Sequence, residues 1–282
     1  MDSWTTEAML RLAAFGVVLG LVAVWEAIAP RRRPRIGRRR WPANLSLSAL
    51  NTAVLRLAVP LGAYGTAAVA AAKGWGLFNL VDAPAGAELA LAVVLMDLTI
   101  YLQHRIFHAV PLLWRFHAVH HADNDFDVTT GLRFHTLSML VSMGVKMAAT
   151  LLLGVSPLAV LASEMALNLT AMFNHANVRI PLALDRVLRW VLVTPDMHRV
   201  HHSVEQDEHS HNFGFNFPWW DRLLGTYRDQ PVAGHGGMTI GLEEYQECPR
   251  QSLVWMLAQP FRTVLDARGG VAPSSKSGLK NG

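Results

Sequence analysis

Residues 97–121 read DLTIYLQHRIFHAVPLLWRFHAVHH and hold five of the chain's 13 histidines. They fall as His104-xxx-His108 and His117-xx-His120-His121, and HRVHH at 198–202 repeats the second spacing with His198, His201 and His202. Residues three or four apart on a helix share a face, so each cluster presents its imidazoles together. Neutral imidazole is the commonest biological metal ligand and suits zinc, copper, iron and nickel. Eight imidazoles in three helical clusters exceed what one ion uses and point to two metals close together. A lone histidine on an apolar face is ordinarily a satisfied core residue. Three same-face clusters beside apolar helices need another account, because burying imidazole near lipid costs free energy unless it finds a partner.

The sequence around this stretch is that of a membrane protein. Of 282 residues, 51% are hydrophobic and only 16% charged, and several apolar runs reach the ~20 residues that cross a bilayer as helix. Cys248 is the only cysteine, which excludes intrachain disulfides, Cys-ligated zinc and Cys-ligated iron–sulfur clusters. The net charge of +4 is local, concentrated in RRRPRIGRRR at 31–40, and does not argue for nucleic acid. That block follows the apolar run Thr6–Ala29 instead of preceding it, so the run reads as a span and not a signal peptide. The positive-inside rule then makes the block a cytoplasmic loop and puts the N-terminus outside. Ser46–Ala72 is the second expected span, with Pro60 inside it and Arg56 lacking an evident partner. Glu88–His108 is the third. Pro111 breaks the chain before the helix carrying His117, His120 and His121. The polar, acidic stretch Ala122–Arg133 reads as a cytosolic connection. Leu137–Val155 and Pro157–Phe173 form a helical hairpin turning at Gly154–Pro157, and Glu164 and Asn168 on its returning arm are expected to line a cavity.

Pro181–Val193 reads as an interfacial amphipathic helix, 241–261 as a peripheral C-terminal helix and Ala267–Gly282 as a disordered tail. The expected fold is all-α: a polytopic membrane helical bundle with a cytoplasmic histidine-rich helical cap. Asp97 lies two turns before His104 on the same face and is expected to orient an imidazole through its second ring nitrogen. His209, His211 and His235 sit in polar loops without box spacing and fall outside the metal set.

HRIFH, HAVHH and HRVHH resemble the three histidine boxes of the fatty acid hydroxylase and sterol desaturase superfamily, integral membrane di-iron oxygenases. Further stretches carry the resemblance. Asn174-His175-Ala176-Asn177 is similar to the family's His-x-Asn element, which adds His175 as a ligand and Asn177 as a ligand or orienting group. Arg133-Phe134-His135 is similar to Arg-x-His-Pro-x-Glu, but Thr136 and Ser138 replace the Pro and Glu, leaving His135 a ligand or an orienting group. NFGFNFPWWDRLLGTY at 212–227 matches the family's Asn-aromatic-Gly and Trp-Asp-Arg-Leu-x-Gly-Thr-aromatic pattern. It reads as an aromatic cap with Asn212, Trp220 and Asp221 at the substrate or site, and with Asp221 and Arg222 able to pair.

The resemblance covers residues 90–230, flanked by N-terminal spans over 1–89 and the C-terminal segment 231–282. It implies an O2-dependent hydroxylase or desaturase acting on a membrane lipid, with two iron ions that zinc can replace. It also implies an external electron donor: a cytochrome b5-like protein, a ferredoxin or a flavoprotein reductase. From the residues alone three readings stay open beside it: a zinc-dependent membrane lipid hydrolase, a haem-b cytochrome and a non-enzymatic metal-binding protein.

Overall fold

The computed structural model describes residues 3–81, 84–246 and 251–262. The expected disordered tail and Cys248 lie outside the described residues. Among the described residues there is no β-strand, only the isolated bridges Pro30 to Val178 and Ser203 to Ile240. The long helices are α1 (Ser3–Ile28), α2 (Trp41–Ala58), α3 (Gly62–Lys73), α4 (Ala85–Ala109), α6 (Thr136–Leu153) and α7 (Pro157–Asn174). Between and after them come α5 (Pro111–His121), α8 (Leu182–Leu188) and α9 (Pro195–His201). Among the described residues, four segments are long and apolar enough to cross a membrane: Ala8–Ile28, Gly37–Asn79, Ala85–Ala109 and Thr136–Leu153.

Local chemistry sets the boundaries. Ser156 and Thr194 accept from Ala159 N and Met197 N, capping α7 and α9, and both helices open on proline, whose missing N–H is no loss there. Gly154 ends α6 at φ +68°, and its backbone meets Gly76 so closely that a Cβ on Gly76 would lie 2.2 Å from Gly154 N. Pro60 divides the expected second span. α2 stops at Ala58 and α3 resumes at Gly62, because proline cannot donate to the preceding turn and its ring crowds it.

The transmembrane part packs α7 against α1, α3 and α4, with α6 against α2, α3 and α4. Residues 29–40, 110–135 and 174–246 gather at one end of this bundle as a cap. The acidic connection is not a loose loop: residues 122–131 are buried throughout. Arg40, itself fully buried, reaches Asp123 at 2.6 Å and Asp127 at 2.5 Å, and Asp125 accepts from the backbone N–H groups of Arg35, Ile36 and Gly37. Charges withdrawn from water must be paired, and the arginine block and the Asp cluster are each other's partners. Glu26, at the end of α1, accepts from Val128 N and Asn177 N and fastens the first helix to the same cap.

The expected helix Pro181–Val193 is shorter, ending at Leu188. Arg189 is buried against Asp185 instead of facing an interface. The C-terminal helix Leu253–Ala258 is not peripheral, since Trp255 and Met256 are buried against Leu47 and Val119.

Candidate metal centre

All nine box and His-x-Asn histidines converge in the cap, where α4, α5, α7 and α9 end. They form two groups: His104, His108, His117, His121 and His201, and His120, His175, His198 and His202. Within each group one ring nitrogen per residue lies within 4.8 Å of the others. The helical spacings explain the split. His117 and His121 stand four apart on α5 and turn to one group, while His120, between them, turns to the other.

The closest approaches are His104 Nε2 to His117 Nε2 and to His201 Nε2, both 3.0 Å, and His175 Nε2 to His198 Nε2 at 3.1 Å and to His120 Nε2 at 3.2 Å. About 3 Å is the edge expected between neighbouring nitrogens held at about 2.1 Å by one ion in octahedral coordination, against about 3.4 Å in a tetrahedral one.

Backbone carbonyls fix three of these rings. His104 Nδ1 donates to Phe213 O at 2.8 Å, His201 Nδ1 to His211 O at 2.7 Å and His175 Nδ1 to Ala171 O at 2.7 Å. With Nδ1 protonated, each Nε2 presents a lone pair to the group. Burial, reinforced by neighbouring imidazoles, holds His117, His120, His121, His198, His201 and His202 well below the ordinary histidine range. Burial lowers His175 to about 3. All are therefore in the neutral, metal-binding form at neutral pH.

Among the described residues, His108 Nε2, His120 Nδ1, His121 Nε2 and both nitrogens of His202 are buried without a hydrogen-bond partner. An orphaned buried polar atom costs about 1–3 kcal/mol. So many beside one another fit a site whose missing partners are metal ions.

Several expected roles change. Asp97 orients no imidazole: its carboxylate accepts from Asn216 N, Phe217 N and Trp220 Nε1, at 3.1, 3.3 and 2.8 Å. Asn177 is paired through its side chain with Arg32 N and Arg32 O and belongs to neither group. His135 Nδ1 accepts from Leu137 N, capping α6, its Nε2 lies 3.3 Å from Leu257 O, and the ring lies outside both groups.

Asp221 does not pair with Arg222. It accepts from Phe213 N, Gly214 N and Thr226 Oγ1, whereas Arg222 stacks on Trp190 and Tyr227. Asn212, at φ +57°, ties Met197 O to the backbone of Arg228. Asn212, Trp220 and Asp221 thus brace the 211–217 loop from behind, and that loop's carbonyls aim His104 and His201.

Spacing alone missed other residues. His209 stacks on Trp114 with ring centroids 5.7 Å apart, 5.9 Å from the His108 ring, although it joins neither group. His235 is not in an open loop but buried, 3.5 Å from Asp196, which also pairs with Arg31 and Arg199. Phe134 stacks on His120 at 4.3 Å. The complementarity of the arginine block and the Asp cluster is a signal in the sequence for the cap's own packing.

A cavity of about 350 Å³ runs between α2, α4, α6 and α7 and ends on His104 and His117, walled there by Phe107, Phe134 and Phe215. Glu164 and Asn168 line it, as expected.

Comparison with known proteins gives this geometry a lineage. The fatty acid hydroxylase family model matches residues 89–226. The ornithine lipid hydroxylase OlsE of Rhizobium tropici is 34% identical over 152 residues, 52% of this chain and 44% of that protein. Human alkylglycerol monooxygenase is 30% identical over 176 residues, 62% of this chain and 38% of that protein. Human cholesterol 25-hydroxylase is 27% identical over 147 residues, 51% and 53% of the two chains. The aligned region thus spans about half or less of each relative. No solved structure matches the chain. Residues 89–226 hold every histidine of the two groups, and over them this chain carries a fatty acid hydroxylase domain.

Proposed function

We propose that the protein is a membrane oxygenase that hydroxylates a C–H bond of a lipid, using O2 and electrons from a separate donor, at a centre of two iron ions. The observation that carries this reading is the cavity, which runs between membrane helices and ends on imidazoles of the five-histidine group. The relatives' names, all lipid or sterol hydroxylases and monooxygenases, support the reaction class.

His104, His108, His117, His121 and His201 would hold one ion and His120, His175, His198 and His202 the other. When bound, iron supplies the O2-activating redox chemistry that side chains lack. The chain's own residues do the rest. Phe107, Phe134 and Phe215 present an apolar wall to an alkyl chain and keep water from the end where it would react. The carbonyls of Phe213, His211 and Ala171 hold the rings so that their lone pairs stay aimed as the lipid enters. Zinc can replace iron in such imidazole sites without supporting oxidation.

The basic block shares the histidine end of the bundle, and the positive-inside rule supports a cytoplasmic cap, within reach of a soluble or membrane-bound reductant. The test is lipid mass spectrometry of cells with and without the intact chain, alongside O2 uptake by iron-loaded protein. A lipid gaining one oxygen is expected. Lipid cleavage without O2 uptake would replace this reading with a zinc hydrolase.

A further inference from the structure

The cavity has a second end, and that end is charged. On α7, Glu164, Leu167, Asn168 and Ala171 line it as one helix face. Glu164 therefore stands about 10 Å along the axis from Ala171, whose carbonyl aims His175. On α6, Ser138, Ser142 and Lys146 form the facing stripe. Lys146 pairs with one oxygen of Glu164, and Arg11 reaches the other at 2.9 Å. Arg56 lines the same end, is exposed, and makes no hydrogen bond or ion pair among the described residues.

Arg11 and Lys146 thus share the Glu164 carboxylate, and Arg56 adds a cation that no ion pair among the described residues balances, facing a cavity between helices apolar enough to cross a bilayer. Charges in such helices face an interior path and mark what travels along it. The break between α2 and α3 lines the cavity beside Arg56, and Pro60 and Leu61 there are exposed, which opens this end toward the surrounding lipid.

We infer that the Arg11–Arg56–Lys146–Glu164 end binds the anionic group of the lipid, a carboxylate or a phosphate, while its alkyl chain runs to His104 and His117. This rests on the reading of the cavity as the lipid site. The separation then acts as a ruler: oxidation falls at a set distance along the chain from the charged head, not beside it.

The test measures binding to the purified full chain in phosphatidylcholine nanodiscs with three probes of one alkyl chain: palmitate, hexadecyl phosphate and hexadecanol. Palmitate or hexadecyl phosphate should bind at least about tenfold tighter than the alcohol, the worth of one charge-assisted hydrogen bond. Which of the two anions binds better separates a fatty acid from a phospholipid-type substrate. The signs of the variants are diagnostic. Lys146→Met and Arg56→Leu should weaken anion binding, and Glu164→Gln, by freeing Arg11 and Lys146, should strengthen it without changing hexadecanol.

A merely structural ion cluster predicts otherwise: Glu164→Gln and Lys146→Met would both lower the melting temperature and leave the anion-to-alcohol ratio unchanged, and that result overturns the inference. If Lys146→Met does not fold, Arg56→Leu and Glu164→Gln decide alone. Equal binding of all three probes refutes the charged subsite but keeps the lipid cavity. No binding of any probe refutes the lipid cavity and the inference with it.

Discussion

Gly131→Ala should disturb one metal group without touching a ligand. A Cβ at position 131 would lie 2.5 Å from Ala171 O, 3.0 Å from Ala171 C and 3.2 Å from His175 Nδ1. Ordinary contact begins near 3.4 Å, so the Ala171 carbonyl must retreat by about 0.9 Å. That carbonyl is the acceptor that fixes the His175 ring. Neither side yields easily, because Ala171 is in the last turn of α7 and His175 is fully buried. Overpacking of this kind costs about 1–3 kcal/mol, less than the 5–15 kcal/mol of a typical domain, so the chain should still fold. Loss of a group that orients a metal ligand typically lowers affinity about 10- to 100-fold.

The expected result is a protein that folds and holds its first ion but releases the second. Metal content is read per chain after dialysis against graded chelator, with the melting temperature recorded in parallel. Gly144→Ala is the control: it sits on α6 with nothing within 4 Å of its Cβ, and should stabilise slightly, by up to about 1 kcal/mol. Wild-type metal content in Gly131→Ala would refute the orientation argument. Loss of both ions in step would refute the division into two groups.

His104→Ala and His120→Ala should each abolish activity and reduce metal content, while His209→Ala and His211→Ala keep both metals; elemental analysis beside O2 uptake checks this. His235→Ala should also keep both metals but lower the melting temperature, since it opens a hole beside Asp196. Burial raises the Asp221 carboxyl to about 6, above the ordinary value near 3.9, so the folded chain holds that proton more tightly than the unfolded one. Its contribution is full below about pH 4 and is lost as pH rises through about 6, at most about 3 kcal/mol; melting temperature against pH should lose this slope in Asp221→Asn. Arg40→Met leaves Asp123 and Asp127 buried without their cation and should cost about 3–5 kcal/mol in chemical denaturation, whereas exposed Arg39→Met should stay within about 0.5 kcal/mol.

Sequence alone reveals what one helix knows about itself. The four-residue step from His117 to His121 and the intervening His120 are legible because helical geometry assigns faces without reference to any partner. The same reasoning placed Asp97 on the inward face correctly, and Asp97 is buried. It failed on the partner, because the loop that meets Asp97 comes from residues 216–220, over a hundred positions away. His135 misleads for a related reason. Its position just ahead of α6 suits a helix cap as well as a ligand, and with Thr136 and Ser138 beside it only packing decides between them. The division of the second span was written in Pro60, since a helix interior cannot absorb that residue without a break.

The acidic connection shows a different limit. Read singly, ADNDFD is a solvated loop and RRRPRIGRRR a cytoplasmic anchor. Read together they are complementary, and burial then forces them to pair. A histidine centre at the end of a membrane bundle has lipid on one side and water on the other. To keep water off the second side, the chain has to cover the centre with segments that carry many charged residues. The cost falls on charged groups: Arg40, Arg133 and Arg199 are all fully buried in the cap, and each meets a carboxylate there. Arg133 spends its Nε–H on Val119 O, at the start of the turn that carries His120 and His121. The ion pairs that close the cap and the carbonyls that aim the imidazoles therefore belong to one network, and a substitution that loosens the first should reach the second before the transmembrane helices respond.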